Sequence, residues 1–220
     1  MSRLSKLPAA APARRRRRPR TYHHGDLRTA VLEEVRGIIR EQGVSVVSIR
    51  EAARRARVSH AAPSHHFGNK AGLLTAFAIQ GYDRLADTVK ADVAAAGATT
   101  PPDVLAVMGQ AYVRFALENP EHFGVMFPGE LINEDDPEYV RATNRCYGPL
   151  MEVVTSGSAQ GTLPADAALV ATSAWSLVHG LASLWLSGRI QARTGATDAT
   201  VLAQAVTELF VDRMLRRKVG

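Results

Sequence analysis

Residues 48–67 read SIREAARRARVSHAAPSHHF, and how this stretch divides decides the fold. Ser48 is a good N-cap, and Glu51 three positions later completes the capping-box pattern that opens a helix. That helix runs to about Ala56 and carries Ile49, Ala52 and Ala53 on its inner face. A tight turn around Arg57 and Val58 follows, and Ser59 caps a second, shorter helix. Alanines at 52, 53, 61 and 62 let the two helices cross closely, while Val58 plugs the gap between them. Pro63 falls in the first turn of the second helix, where it forfeits only the bond back to the cap carbonyl. The second helix is then about 8 residues, roughly 12 Å, long. This is the pattern of a helix-turn-helix, whose second helix lies in a DNA major groove.

Outward from this unit, nearly everything from Thr21 reads as helix. Apolar residues recur at helical spacing at Leu27, Val31, Val35, Ile38 and Ile39, and again at Leu105, Met108, Tyr112 and Phe115. Val44–Ile49 is the nearest approach to strand alternation, and it is short and bounded by Gly43 and Arg50. The expected fold is all-α with about nine helices. The first ends at Gly43, the helix-turn-helix pair follows, and a long fourth runs from Lys70 to about Ala96. After the loop GATTPP come Asp103–Asn119, a short helix from Pro120 to the break at Pro128-Gly129, about Asp136–Ser156, Ala165–Ser187 and Thr197–Arg217.

The 220 residues are 46% hydrophobic, enough to bury a sizeable core. No run approaches the 18 or so apolar residues of a membrane span, and no apolar segment follows the charged N-terminus, so a cytoplasmic protein without membrane association is expected. Cys146, the one cysteine, rules out an internal disulfide and a Cys-based zinc site, and is read as a small buried hydrophobe rather than an oxidant sensor. Charge is strongly polarised. Residues 1–70 hold 16 Lys and Arg against 5 Asp and Glu, whereas residues 71–220 hold 11 against 16. A basic front end of this kind suits a polyanion. Residues 1–20, with six arginines among Arg14–Arg20, read as a disordered basic arm.

The three histidines of 59–70 do not form a metal set. His60 and His65 diverge on a helix, His65 and His66 point to different faces, and no Cys, Asp or Glu accompanies them. His66 is read as structural and Phe67 as a core plug. Nothing elsewhere assembles an acid, base and nucleophile, so no catalytic residues, metal or cofactor are expected.

Residues 21–80 resemble the DNA-binding domain of the TetR family of transcriptional regulators. The resemblance rests on YHHGDLR at 22–28, the amphipathic first helix ending REQG, SIREAARRARVS, and HHFGNKAGLL leading into a fourth helix. It implies DNA-binding residues at Ser48, Arg50, Arg57, Ser59, His60, Ala61, Ser64, His65 and Lys70. Lys70 and the helix N-terminus behind it would meet a phosphate, and His60, Ala61 and Ser64 would meet base edges. Two positions depart from the family pattern: Ser64 stands where a tyrosine is common and Ala71 where an acidic residue is. The implied domains are helix-turn-helix at 21–68 and a helical effector-binding and dimerisation domain at 69–220.

The back half is less specific. WSLVHG at 175–180 and FALENPEHFGVMF at 115–127 resemble TetR-like C-terminal domains with a W-x-x-x-H-G motif. Trp175 and His179 share a helix face and could be core, pocket wall or dimer interface. Candidate pocket liners are Phe77, Tyr82, Met108, Tyr112, Phe115, Phe123, Met126, Trp175 and His179, implying an apolar or aromatic small-molecule effector. The resemblance also implies a homodimer through the last two helices, and a palindromic double-stranded operator requires such a two-fold pair. The function implied is a ligand-responsive repressor. The reading from another class is a non-specific nucleoid-type or RNA-binding protein whose back half only assembles subunits.

Overall fold

The computed structural model describes residues 24–59, 61–127 and 129–215; the arginine-rich arm and His60 lie outside them. Among the described residues there are ten α-helices and no strand. The first four are α1 (His24–Gln42), α2 (Ile49–Arg55), α3 (Ala61–Phe67) and α4 (Lys70–Ala96). Three more follow as α5 (Pro101–Glu118), α6 (Pro120–Met126) and α7 (Pro137–Ala159). The last three are α8 (Ala167–Leu186), α9 (Arg189–Thr194) and α10 (Ala199–Leu209). The alternating run after Gly43 forms a short 3₁₀ turn at Val44–Val46, not a strand.

Local chemistry accounts for most boundaries. Asn69 Oδ1 accepts from Gly72 N at 2.9 Å to open α4. Asp136, Asp166 and Asp198 cap α7, α8 and α10 in the same way. α7 continues through Pro149.

Two elements differ from the sequence expectation. α9 forms where a loop was expected, bracketed by Gly188 and Gly195, both at positive φ. Those glycines isolate one helical turn and a half between two reversals. The last helix, expected as one piece over 197–217, is α10 followed by a π-helical turn at Phe210–Leu215.

One apolar core runs from Val31, Val35 and Ile38 on α1 through Leu74 and Phe77 on α4 to Met126 and Tyr139. It crosses residue 68 without a break. A second core joins Leu105, Val154, Val170, Ala171 and Val211 at the far end. α4 packs on α5, α6 and α7, while α8 packs on α5 and α7. α8 is long and apolar enough to span a membrane by length and composition alone, with a mean hydropathy of 1.4. Within the fold, its Val170, Ala171, Val178 and Ala182 are buried against neighbouring helices.

Candidate functional site

The helix-turn-helix is assembled from α2, the turn and α3. Ser48 Oγ accepts from Glu51 N at 3.2 Å, which caps α2. The reciprocal half of the capping box is absent. Glu51 instead accepts from Arg54 at 2.6 and 2.8 Å and from Arg55 at 3.0 Å. These charge-assisted bonds outcompete one neutral amide, and they hold the Glu51 carboxyl down at about 2, with Arg54 the larger influence. The turn places Arg57 at φ 56°, the left-handed region that side chains rarely adopt. Val58 N bonds to Ala53 O at 3.1 Å and returns the chain toward α3.

On α3, Pro63 and Phe67 face the core, and Ala61 and His65 face out with Ser64 half-buried between them. His66, read as structural, is exposed. Ser59, Arg50 and Arg57 are exposed on the same motif. Lys70 is exposed at the α4 N-terminus, and its Nζ donates to Ser45 O at 2.6 Å. The surface therefore gathers basic and small polar side chains around one protruding short helix.

Behind this surface, α4, α5, α7, α8 and the C-terminal π turn line a half-open cavity of about 840 Å³. Tyr82, Met108, Tyr112 and Trp175 stand in its wall, as does Phe127, which sequence reasoning missed. Five other expected liners do not line it. Phe77, Phe115, Phe123 and Met126 are buried in the core, where Phe77 stacks on His122 at 4.0 Å. His179 lies one layer back, its Nδ1 2.9 Å from the Tyr112 hydroxyl.

The proton of that bond comes from the phenol or from Nδ1, according to the imidazole tautomer. Burial holds His179 below its ordinary value and Tyr112 above its own. The W-x-x-x-H spacing sets Trp175 and His179 side by side on α8, their ring centroids 6.3 Å apart, with His179 bonded to Tyr112 of α5. Trp175 remains 41% exposed, so it is a cavity wall and not core. Cys146 also lines the cavity; its thiol donates to Tyr82 O at 2.9 Å, and burial pushes it up to about 12.

The geometry matches known proteins. Residues 31–77 match the model of the bacterial regulatory proteins of the tetR family, and residues 105–210 match the tetracyclin repressor-like C-terminal domain. The chain belongs to the TetR family of transcriptional regulators. A protein of unknown function from Rhodococcus sp. RHA1 is 30% identical, with a TM-score of 0.77 over 90% of the regulator and 100% of that chain. The TetR family regulator PfmR from Thermus thermophilus is 22% identical, with a TM-score of 0.64 over 83% and 97%. FadR from Bacillus subtilis, solved in complex with stearoyl-CoA, is 16% identical, with a TM-score of 0.66 over 83% and 97%. Among curated proteins none matches the sequence.

A chain of contacts that the sequence did not disclose runs from the cavity through α6 to α1. Tyr82 and Tyr139 both donate to Met126 O, at 2.9 and 3.3 Å, pinning the end of α6 beside the cavity. At the other end of α6, Glu121 accepts from Arg36 of α1 at 3.2 Å. His122 lies between them, fully buried, with Nε2 3.0 Å from Gln80 Oε1. Gly81 lets the helices approach, since a Cβ there would sit 2.7 Å from Met126 Sδ.

Proposed function

We propose that this regulator is a dimeric repressor that leaves its operator when a small apolar or aromatic molecule enters the cavity. The single observation that carries this reading is the pairing, in one chain, of an exposed recognition helix with a large apolar cavity, joined through α4 and α6. DNA contact falls to Ser48, Arg50, Arg57, Ser59, His60, Ala61, Ser64 and His65 on the 21–68 unit and to Lys70 at the start of α4, and residues 69–220 sense and dimerise. The basic arm adds sequence-independent phosphate attraction. Transcriptional control of this kind requires no catalytic group and places the protein in the cytoplasm with the chromosome.

Coupling follows from the hydrogen bonds. A guest against Tyr82 and Phe127 loosens the hold on Met126 O, α6 shifts, and Arg36 carries the shift to α1. The effect is as large as the guest's preference for one arrangement over the other.

The dimer is supported by what the monomer leaves uncovered. Leu169 and Leu184 on α8 and Val201 and Leu209 on α10 are 45–64% exposed. Gly180 has nothing within 4 Å of where a Cβ would stand. Its small size therefore serves no contact within the chain and suits a second helix laid on α8.

The test is a gel-shift titration at two salt concentrations, with DNA upstream of the regulator's own gene against scrambled DNA. Selective binding at least about a hundredfold tighter, lost in a Lys70→Ala, His60→Ala variant, is expected. Equal binding to both DNAs, tracking salt alone, would instead leave the basic arm as the binder.

A further inference from the structure

α2 carries an exposed cation that the operator contacts above leave out. Arg50, Arg54 and Arg57 are all exposed. Arg50 and Arg54 stand one turn apart on α2, and Arg57 follows at the reversal into α3, while Ala52 and Ala53 carry the buried side. In a docked helix-turn-helix the first helix crosses the DNA backbone, so cations along its outer face lie where phosphates run.

Arg54 differs from its two neighbours in being held. Its Nε donates to Glu51 Oε2 at 2.8 Å and its Nη2 to Oε1 at 2.6 Å. A guanidinium has five N–H groups in one plane. The two-pronged bond to Glu51 takes one from Nε and one from Nη2, and the Nη1–Nη2 edge keeps the rest. That edge fits a phosphate in the same two-pronged way. Glu51 is itself anchored. Arg55, only 17% exposed, donates to Glu51 at 3.0 Å and to Glu41 of α1 at 2.8 Å. The chain Glu41–Arg55–Glu51–Arg54 therefore runs from α1 out to a side chain that is 70% exposed. A free surface arginine gives up rotamer freedom when it grips a phosphate, and one already fixed by two bonds gives up less.

We propose that Arg54 binds an operator phosphate and that Glu51 is its positioning residue, holding the guanidinium so that its unbonded edge stays open to the DNA backbone. The inference rests on the operator reading above and adds a contact to it.

The test uses the full-length protein and a duplex that the wild type itself enriches from a random-sequence DNA pool. Fluorescence anisotropy over a series of salt concentrations reads affinity and its salt slope. Arg54→Ala is expected to weaken binding and to lower the slope by about 1 for each subunit bound, with circular dichroism unchanged. Arg54→Lys keeps the charge without the fork, so its slope should stay near wild type while its affinity falls. Glu51→Gln separates positioning from charge. Removing a carboxylate beside DNA tightens binding through charge alone. With Arg54 in place, Glu51→Gln is instead expected to weaken binding at least about threefold, and in an Arg54→Ala background it should tighten it.

Unchanged slope and affinity in Arg54→Ala, on a DNA that the wild type prefers, would overturn Arg54 as a contact and leave the docking of the helix-turn-helix intact. Tightening by Glu51→Gln in both backgrounds would overturn the positioning role. If the wild type enriches no sequence, the operator reading and this contact fall together.

Discussion

His122 makes acid stability of this regulator a quantitative matter. Its side chain is 0% exposed and stacks on Phe77. Because the Gln80 carbonyl oxygen can only accept, Nε2 carries the proton, and Nδ1 is left buried without a partner. Protonating Nδ1 would bury a charge, first of all against the cost of desolvation and then near Arg84 and Arg36, so the ring is pushed down to about 3. In the unfolded chain the same ring titrates near 6.5. Between those values the unfolded state binds one more proton than the folded state. Stability is therefore complete above about 6.5 and falls as pH drops, by about 1.4 kcal/mol per pH unit. Between pH 7 and pH 5 the loss from this residue is about 2 kcal/mol. His122→Phe keeps a ring on Phe77 and removes the titration. Urea unfolding at pH 7 and pH 5, at one fixed protein concentration, should show a profile about 2 kcal/mol flatter for the variant than for wild type. His179, also held low by burial, titrates in both proteins and cancels. Parallel profiles would refute the reasoning, because they would mean His122 is as free to protonate folded as unfolded.

Four further outcomes are expected. Ser48→Ala removes the α2 cap and should lower stability by about 1 kcal/mol, read as a shift in the urea midpoint. Arg57→Gly relieves the left-handed turn and should stabilise by up to about 1 kcal/mol while weakening operator binding, so thermal melts and gel shifts should move in opposite directions. Lys70→Ala should reduce the slope of log affinity against log salt by about 1; a weaker affinity with an unchanged slope would assign Lys70 only to its bond with Ser45. Val201→Asp with Leu209→Asp should convert the proposed dimer to monomer in light scattering and abolish cooperative operator binding.

The helices were legible because their ends are set by neighbours in sequence: the cap at Ser48, the proline at 120, and glycines at 43 and 97. The start at Pro101 was not, since GATTPP reads as a loop until Thr100 caps the helix. α9 was not, since Gly188 and Gly195 read as loop residues whether or not a helical turn lies between them. Glu51 had the spacing of a capping box, but its carboxylate went to Arg54 and Arg55, a competition between charged donors and a backbone amide that spacing cannot rank. The cavity shows the deeper limit. Helical periodicity says that Phe115 and Tyr112 both point inward; only the packing of several helices decides that one meets neighbours and the other a void. Arg36 and Glu121 lie 85 positions apart, and neither carries any local sign of the other.

Under the proposed dimer, the uncovered leucines and valine of α8 and α10 bear on how many copies of this protein a cell can use. Regulators are often scarce, and a pairing held by apolar contact obeys mass action: diluted, it releases chains that display Leu169, Leu184, Val201 and Leu209 to proteases and to one another. A tight α8–α10 contact would keep a handful of molecules paired between rounds of DNA binding. A weak one would make both operator occupancy and protein lifetime climb steeply with expression. On that proposal, the affinity of that face sets the lowest abundance at which the switch works.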